Sequence, residues 1–137
     1  MLKLNEKIGK IETFGIGVDI ENIDRFRNLN TINNNSFLNK IFTKNELGYC
    51  FSKKNPAQHL AARYAGKEAI IKALTSIGKR NLNYNSVEIS HNGNKVPIAR
   101  INNKNYQNLQ VYISLSHCKD KSIAFAAVIE DDKHEGD

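Results

Sequence analysis

The chain has 137 residues, the size of a single domain that buries roughly two thirds of its unfolded surface. Apolar residues make up 40% and charged residues 25%, which excludes a wholly disordered or fibrous chain. The formal net charge of +6 and the isoelectric point near 9.3 indicate an anionic partner: a nucleic acid, a phosphorylated small molecule or an acidic protein. Acidic residues are interleaved with the basic ones, and no block of five or more Lys and Arg occurs, which weakens the nucleic-acid interpretation.

The cysteines and the apolar runs bear on the compartment. Cys50 and Cys118 lie far apart without a CxxC pair, which disfavours a zinc site or a disulfide framework and favours a reducing setting. The longest apolar run, residues 123–129, is too short for the roughly 20 residues that cross a bilayer. The first residues include Glu6 and Glu12 and lack the apolar core of a signal peptide. We therefore expect a cytoplasmic protein with no membrane contact.

The first predicted elements are a strand and a short helix. Residues 14–20, Phe-Gly-Ile-Gly-Val-Asp-Ile, predict a strand suited to burial, in which two glycines allow another backbone to approach closely. Ile23 and Phe26 lie three positions apart and predict a short helix over residues 21–29. Asp19 is the one charged residue of the apolar run. Taken alone, it is a candidate N-cap for the helix that follows.

Two further helices follow an Asn-rich loop over residues 30–35. Thr43 and Glu46 have the spacing of a capping box, which predicts a helix over residues 43–53. Asn55 as N-cap and Pro56 as the first helical residue then predict the start of the long central helix, which runs to residue 74, about five turns. The small residues of this helix lie on one broad side, so a neighbouring element can pack very close to it.

The rest of the chain predicts strands, over residues 86–90, 96–101, 111–116 and 123–129. Asn92-Gly93 and residues 118–121 supply turns, and the second of these joins two strands as a hairpin. A strand, then helices, then a strand-rich half predicts an α+β domain whose antiparallel sheet packs on the long central helix. This domain spans residues 13–130, with an N-terminal extension over residues 1–12 and an acidic, flexible tail over residues 131–137.

Three polar features stand out, on the first strand, on the long helix and at the end of a late strand. Their side chains are Asp19, Arg63, Lys67, Glu68, Lys72 and His117. Each has an ordinary alternative, since charges at i,i+4 suit a solvated helix face and a lone histidine suits a turn. Together, the carboxylates of Asp19 and Glu68 suit Mg²⁺, which takes few protein ligands plus water and phosphate oxygens. The cationic side chains can neutralise phosphates, so the set indicates phosphate binding or phosphate transfer without a P-loop.

Four segments together resemble the holo-acyl-carrier-protein synthase family of 4′-phosphopantetheinyl transferases. They are GIGVDI at residues 15–20, FTKNEL at 42–47, HLAARYAGKEAIIKAL at 59–74 and ISLSHCKDKSIAFAAV at 113–128. The resemblance is collinear from about residue 14 to residue 129, and G-x-D followed by K-E-A-x-x-K-A is specific. It implies the α+β fold of that family, assembled as a homotrimer with active sites between protomers.

The resemblance also implies a reaction that belongs to fatty acid biosynthesis. The 4′-phosphopantetheine group of coenzyme A moves to a serine of apo-acyl carrier protein in a Mg²⁺-dependent step, and adenosine 3′,5′-bisphosphate is released. Asp19 and Glu68 match the family's metal ligands and, with Lys72, its catalytic residues. The positions implied to lie around coenzyme A and its phosphates are Arg63, Lys67, Lys72 and His117. Two candidates remain for the acceptor of the serine proton, Glu68 or a metal-bound water.

The positive charge then has a natural partner, because acyl carrier proteins are acidic. Arg25, Phe26 and Arg27 are the residues predicted to dock the carrier, with ordinary solvated charge as the alternative for the arginines. Residues 75–78 and 93–97 depart from the family pattern and bear on how tightly coenzyme A binds. The alternative function is a basic, non-enzymatic binding module for nucleic acid or an acidic partner. That function lacks the expected basic stripe interleaved with aromatic residues.

Overall fold

A computed structural model describes residues 13–131 and shows an α+β arrangement. The helices are α1 (Asn35–Ile41), α2 (Lys44–Phe51) and α3 (Pro56–Ser76). The strands are β1 (Thr13–Asn22), β2 (Val87–His91), β3 (Pro97–Ile101), β4 (Leu109–His117) and β5 (Lys121–Glu130). The extension predicted for residues 1–12, and all but the first residue of the predicted tail, lie outside the described residues.

The strands form two antiparallel units. β1, β5 and β4 make a three-stranded sheet in that order, and β2 and β3 make a separate hairpin. The register places Asp19 opposite Ala124, and Glu21 opposite Ser122. β4 and β5 pair directly across the turn predicted at residues 118–121, which confirms that hairpin. Within the described residues, no helix is both long and apolar enough to cross a membrane.

Helix α3 packs on the sheet at very short range because both surfaces are built from small residues. Ala65, Ala69 and Ala73 of the helix are fully buried, as are Ala124 and Ala126 of β5. Two glycines of β1 complete this contact: a Cβ added at residue 17 would lie 2.0 Å from the carbonyl oxygen of residue 69, and one at residue 15 would lie 2.3 Å from that of residue 73. The close approach predicted for these glycines is thus made by a helix backbone.

The large apolar side chains of β1 face away from α3, so the expectation of a buried strand is wrong for that half of its residues. Side chains alternate along a strand, and the glycines occupy the face that meets the helix. The exposed apolar residues of β1, β4 and β5 are Phe14, Ile16, Val18, Ile20, Tyr112, Ile123 and Phe125, each at least 40% exposed. We call this surface the outer sheet face.

The chain after Asp19 does not form the helix predicted over residues 21–29. β1 stays paired with β5 as far as Asn22, and only a single 3₁₀ turn, Ile23–Phe26, follows. The N-cap position of that turn is Asn22, so the N-cap role considered for Asp19 is wrong. Pairing with β5 extends the strand past the point where local spacing predicted a helix.

The two helices predicted further along the chain are both present in the structure. The capping box of Thr43 and Glu46 is present at the start of α2, which confirms that prediction, although the helix ends at Phe51. Helix α3 begins at Pro56 as predicted, but Asn55 makes no side-chain capping hydrogen bond. Helix α1 follows the Asn-rich loop and was not predicted.

Candidate active site

Asp19 lies at the end of β1 nearest the 3₁₀ turn, on the strand face that meets α3. Its side chain is 12% exposed, and the Lys72 ammonium of α3 donates to its Oδ1 at 3.1 Å and to the Val18 carbonyl at 3.0 Å. Its other carboxylate oxygen, Oδ2, is buried and accepts no hydrogen bond from the described residues. One oxygen of this nearly buried carboxylate is therefore unsatisfied.

Glu21 is a second carboxylate on the same face of β1, and it was missed from the sequence. It forms an ion pair with Arg25 at 2.9 Å. Burial and the adjacent Asp19 raise the pKa of the Glu21 carboxyl to about 7, against the opposing effect of Arg25. Because residues i and i+2 share one face of a strand, Glu21 could have been found had the strand been predicted to continue past residue 20.

Glu68 reaches the same region from α3. Its Oε2 accepts hydrogen bonds from the phenols of Tyr64 at 3.1 Å and Tyr84 at 2.9 Å. Tyr64 lies one turn before Glu68, beneath the Arg25 guanidinium, 4.9 Å from the ring centre. Lys72 lies one turn after Glu68 and contacts Asp19. The neighbours of Glu68 one turn before and one turn after it on α3 thus contact the turn after β1 and β1 itself. We use the name carboxylate cluster for Asp19, Glu21 and Glu68.

Lys67 does not face this cluster, so the expectation that it contacts phosphates is wrong. Its side chain is completely buried and pairs with Glu46 at 2.8 Å. Its ammonium also donates to the backbone carbonyls of Tyr84, at 3.0 Å, and of Val87. Burial lowers the pKa of Lys67, and the neighbouring Glu46 opposes that effect. Lys67 therefore ties α3 to α2 and to the segment before β2.

A second polar region, the basic pocket, lies where α3 meets the ends of β2 and β4. It is a cavity of about 230 Å³. Its nitrogen-bearing side chains are Gln58, His59, Arg63, His91, Lys95 and His117. His117 accepts a 2.9 Å hydrogen bond from the Gln58 amide through its Nε2. The predicted residues Arg63 and His117 thus line one cavity.

Arg63 is the most deeply buried group of this pocket. Its guanidinium stacks 4.3 Å from the centre of the Tyr49 ring, and its Nη2 donates to His91 Nδ1 at 3.2 Å. Burial, followed by the charge of Arg63, lowers the pKa of His91 and of His59. Arg63 is only 2% exposed, and its Nε has no hydrogen-bond partner among the described residues. A buried guanidinium with an unused donor suits an anionic ligand.

The predicted docking residues separate into two kinds. Arg25 and Arg27 are about half exposed and pair with Glu21 and Asp24 respectively. Phe26 is 1% exposed and belongs to the hydrophobic core, so its assignment as a docking residue is wrong. In a 3₁₀ turn neighbouring residues point in different directions, which puts Phe26 inside and leaves the arginines at the surface.

The model of the 4′-phosphopantetheinyl transferase superfamily matches residues 15–127. The chain belongs to this superfamily. The transferase is 45% identical over 117 residues to the holo-acyl-carrier-protein synthase of Chlamydia muridarum, covering 82% of this chain and 92% of that protein. It is 39% identical over 114 residues to the synthase of Thermodesulfovibrio yellowstonii, covering 83% and 96%. Both the family and the enzyme class predicted from the sequence are confirmed.

The fold agrees with solved structures of such synthases. The Helicobacter pylori holo-acyl-carrier-protein synthase in complex with coenzyme A is 28% identical, with a TM-score of 0.68 over 82% of this chain and 98% of that one. The transferase thus has the α+β fold of these enzymes, with helices packed on an antiparallel sheet. Across residues 13–131, no three His, Cys, Asp or Glu side chains form a group that could hold a metal ion.

Proposed function

We propose that the chain is a holo-acyl-carrier-protein synthase that uses Mg²⁺ and coenzyme A. The serine hydroxyl of an apo-acyl carrier protein attacks the β-phosphorus of coenzyme A. A new bond forms between the serine oxygen and that phosphorus, and the serine proton passes to a base, either Glu68 or a water. The bond from the phosphorus to the bridging pyrophosphate oxygen breaks, and adenosine 3′,5′-bisphosphate leaves. The observation that carries the proposal is the Asp19–Lys72 pair one helical turn from Glu68, on a chain of this superfamily.

The carboxylate cluster fits a small hard cation. Asp19 Oδ2 is buried without a partner, and Oε1 of Glu68 accepts no hydrogen bond from the described residues. Mg²⁺ prefers such oxygens and keeps several sites for water and substrate phosphates. Asp19 and Glu68 would hold the ion. When bound, it would offset negative charge that develops on the pyrophosphate.

Lys72 supports the same reaction from the protein side. Its ammonium contacts Asp19 Oδ1 and remains about half exposed, so it can reach a phosphate beside that carboxylate. A positively charged donor placed where the leaving phosphate gains charge stabilises the transition state more than the ground state. During the reaction the Lys72 ammonium would transfer its hydrogen bond from Asp19 to the leaving phosphate, so it would have an anionic partner at every stage.

The basic pocket supplies a site for the phosphate of coenzyme A that is not part of the pyrophosphate. Arg63 and Lys95 give it positive character, and the Nε of Arg63 has no hydrogen-bond partner among the described residues. None of the described contacts connects this pocket to the carboxylate cluster. A site shared between neighbouring protomers would bring a pocket from one and a cluster from the other around one coenzyme A.

The outer sheet face supports such an assembly. It carries large apolar side chains from three strands, whereas extended apolar patches on monomers are uncommon. We propose a homotrimer that buries this face. Sedimentation should give three times the monomer mass, and Phe125→Asp should shift the protein to the monomer because a carboxylate would be buried in the contact. A native chain that sediments as a monomer would contradict the trimer.

Carrier docking is assigned to Arg25 and Arg27, which stay at the surface beside the carboxylate cluster. Their charge complements an acidic carrier and would speed its association. The proposed setting for this reaction is the cytoplasm.

The test is to incubate the protein with Mg²⁺, coenzyme A and apo-acyl carrier protein and to measure the mass of the carrier. A gain of one phosphopantetheine group is expected. Asp19→Ala and Glu68→Ala should each abolish the gain with an unchanged unfolding transition, while Asp131→Ala, at the opposite end of the sheet, should retain it. No gain with several different carriers would refute the proposed reaction, and full activity of either alanine variant of the cluster would refute the metal assignment.

A further inference from the structure

The two oxygens of Glu68 have different surroundings. Both phenol hydrogen bonds, from Tyr64 at 3.1 Å and from Tyr84 at 2.9 Å, end on Oε2. Oε1 receives none from the described residues. The carboxylate is therefore held by one oxygen and open at the other.

Both phenols are themselves fixed in place. The Tyr64 and Tyr84 rings stack with centres 5.8 Å apart and planes inclined by 12°. Tyr64 is also buried against Phe26 and lies under the Arg25 guanidinium. Tyr84 is fixed through its backbone, because buried Lys67 donates to its carbonyl at 3.0 Å. Lys67 thus acts on the cluster indirectly, by holding the segment that carries one of the phenols.

We propose that Tyr64 and Tyr84 are positioning residues that reserve Oε1 of Glu68 for the cation and thereby favour Mg²⁺ over Ca²⁺. The inference rests on the proposed function. Groups that hydrogen-bond a metal ligand orient it, and losing them typically costs 10–100-fold in metal affinity. A carboxylate whose second oxygen is occupied acts as a one-oxygen ligand, which suits the small octahedral shell of Mg²⁺. Ca²⁺ has a larger shell, which often takes both oxygens of one carboxylate.

The experiment measures metal binding directly. Mn²⁺ is titrated into protein plus coenzyme A, and the free ion is followed by its paramagnetic resonance signal against a blank that contains coenzyme A alone. Displacement of Mn²⁺ by Mg²⁺ and by Ca²⁺ then gives the ratio of the two affinities. The variants are Tyr64→Phe, Tyr84→Phe and the double variant, which keep the stacked rings. Tyr106→Phe is the matched control, since its phenol donates to the Arg80 carbonyl away from the cluster.

The double variant should bind Mn²⁺ about ten-fold more weakly than the native chain. Its affinity ratio should shift at least three-fold toward Ca²⁺, and Tyr106→Phe should match the native chain in both quantities. The inference is overturned if the affinity or the ratio of the double variant equals that of the native chain. The proposed function fails separately, if the native chain binds no Mn²⁺ above the blank or if Glu68→Ala binds it as well as the native chain.

Discussion

The tightest contact of the fold offers a demanding test. Gly17→Ala adds one methyl group to β1 where it faces α3. An added Cβ would lie 2.0 Å from the carbonyl oxygen and 3.0 Å from the carbonyl carbon of Ala69, and 2.8 Å from the amide nitrogen of Ala73. All three are backbone atoms of one helix, so no side-chain rotation can relieve the overlap. Ordinary contact begins at 3.4 Å, which means that helix and strand must separate by more than about 1 Å.

The cost follows from that separation. A gap of 0.5–1 Å already removes about a quarter to a half of the dispersion attraction between two atoms, and this loss would extend along the α3–β1 contact. Overpacking of a core typically costs about 1–3 kcal/mol, and a clash with backbone belongs at or above the upper end. We therefore expect Gly17→Ala to lower the free energy of unfolding by about 3 kcal/mol or more. Urea denaturation at a fixed protein concentration measures this loss.

A matched control makes the same chemical change in open space. Gly48 lies inside α2, and a Cβ added there would meet no atom within 4 Å. Because alanine is the better helix former, Gly48→Ala should raise the free energy of unfolding by about 0.5–1 kcal/mol. A Gly17→Ala variant within about 1 kcal/mol of the native chain would show that the short helix–strand distance does not govern packing here.

Three further predictions concern single side chains. Lys67→Met should lower the free energy of unfolding by about 3–5 kcal/mol in urea, because it leaves Glu46 buried without its partner; a loss below about 1 kcal/mol would contradict the buried ion pair. Folding lowers the pKa of His91, so the stability that the neutral imidazole contributes is complete above the ordinary pKa of about 6.5 and is lost as the pH falls toward the lowered pKa of the folded state. His91→Gln should therefore lessen the fall in unfolding free energy on acidification, and an unchanged pH profile would refute this. Arg27→Ala should raise the KM for the carrier by roughly five-fold or less, an effect that added salt removes, and leave the KM for coenzyme A unchanged.

Local patterns predicted most of the elements, because each depends on a few neighbouring residues. The capping box of Thr43 and Glu46 located α2, and the Asn-Pro pair located α3. Helix α1 was not predicted because it is seven residues long and buries only Leu38 and Ile41. Two buried residues are too few to show a helical period beside an Asn-rich loop.

Long-range pairing decided the elements that local patterns misplaced. Ile23 and Phe26 have helical spacing, yet β5 holds the chain in a strand through Asn22 before one 3₁₀ turn forms. Local patterns also fail to predict which face of a strand packs against a helix. Val18 and Asp19 are neighbours in one apolar run, but which of them meets α3 depends on the register with β5 and on where the glycines lie.

The motif K-E-A-x-x-K-A lies on α3, and the geometry of the helix decides which of its residues face the carboxylate cluster. Consecutive helical residues point about 100° apart, so Lys67 and Glu68 cannot both face one site. Glu68 shares its stripe with Tyr64 and Lys72, four residues before and after it, and these three contact the cluster side. The i,i+4 rule thus makes Tyr64 predictable from the sequence. Tyr84 cannot be predicted in this way, because it lies outside α3 and its position depends on a hydrogen bond from the buried side chain of Lys67.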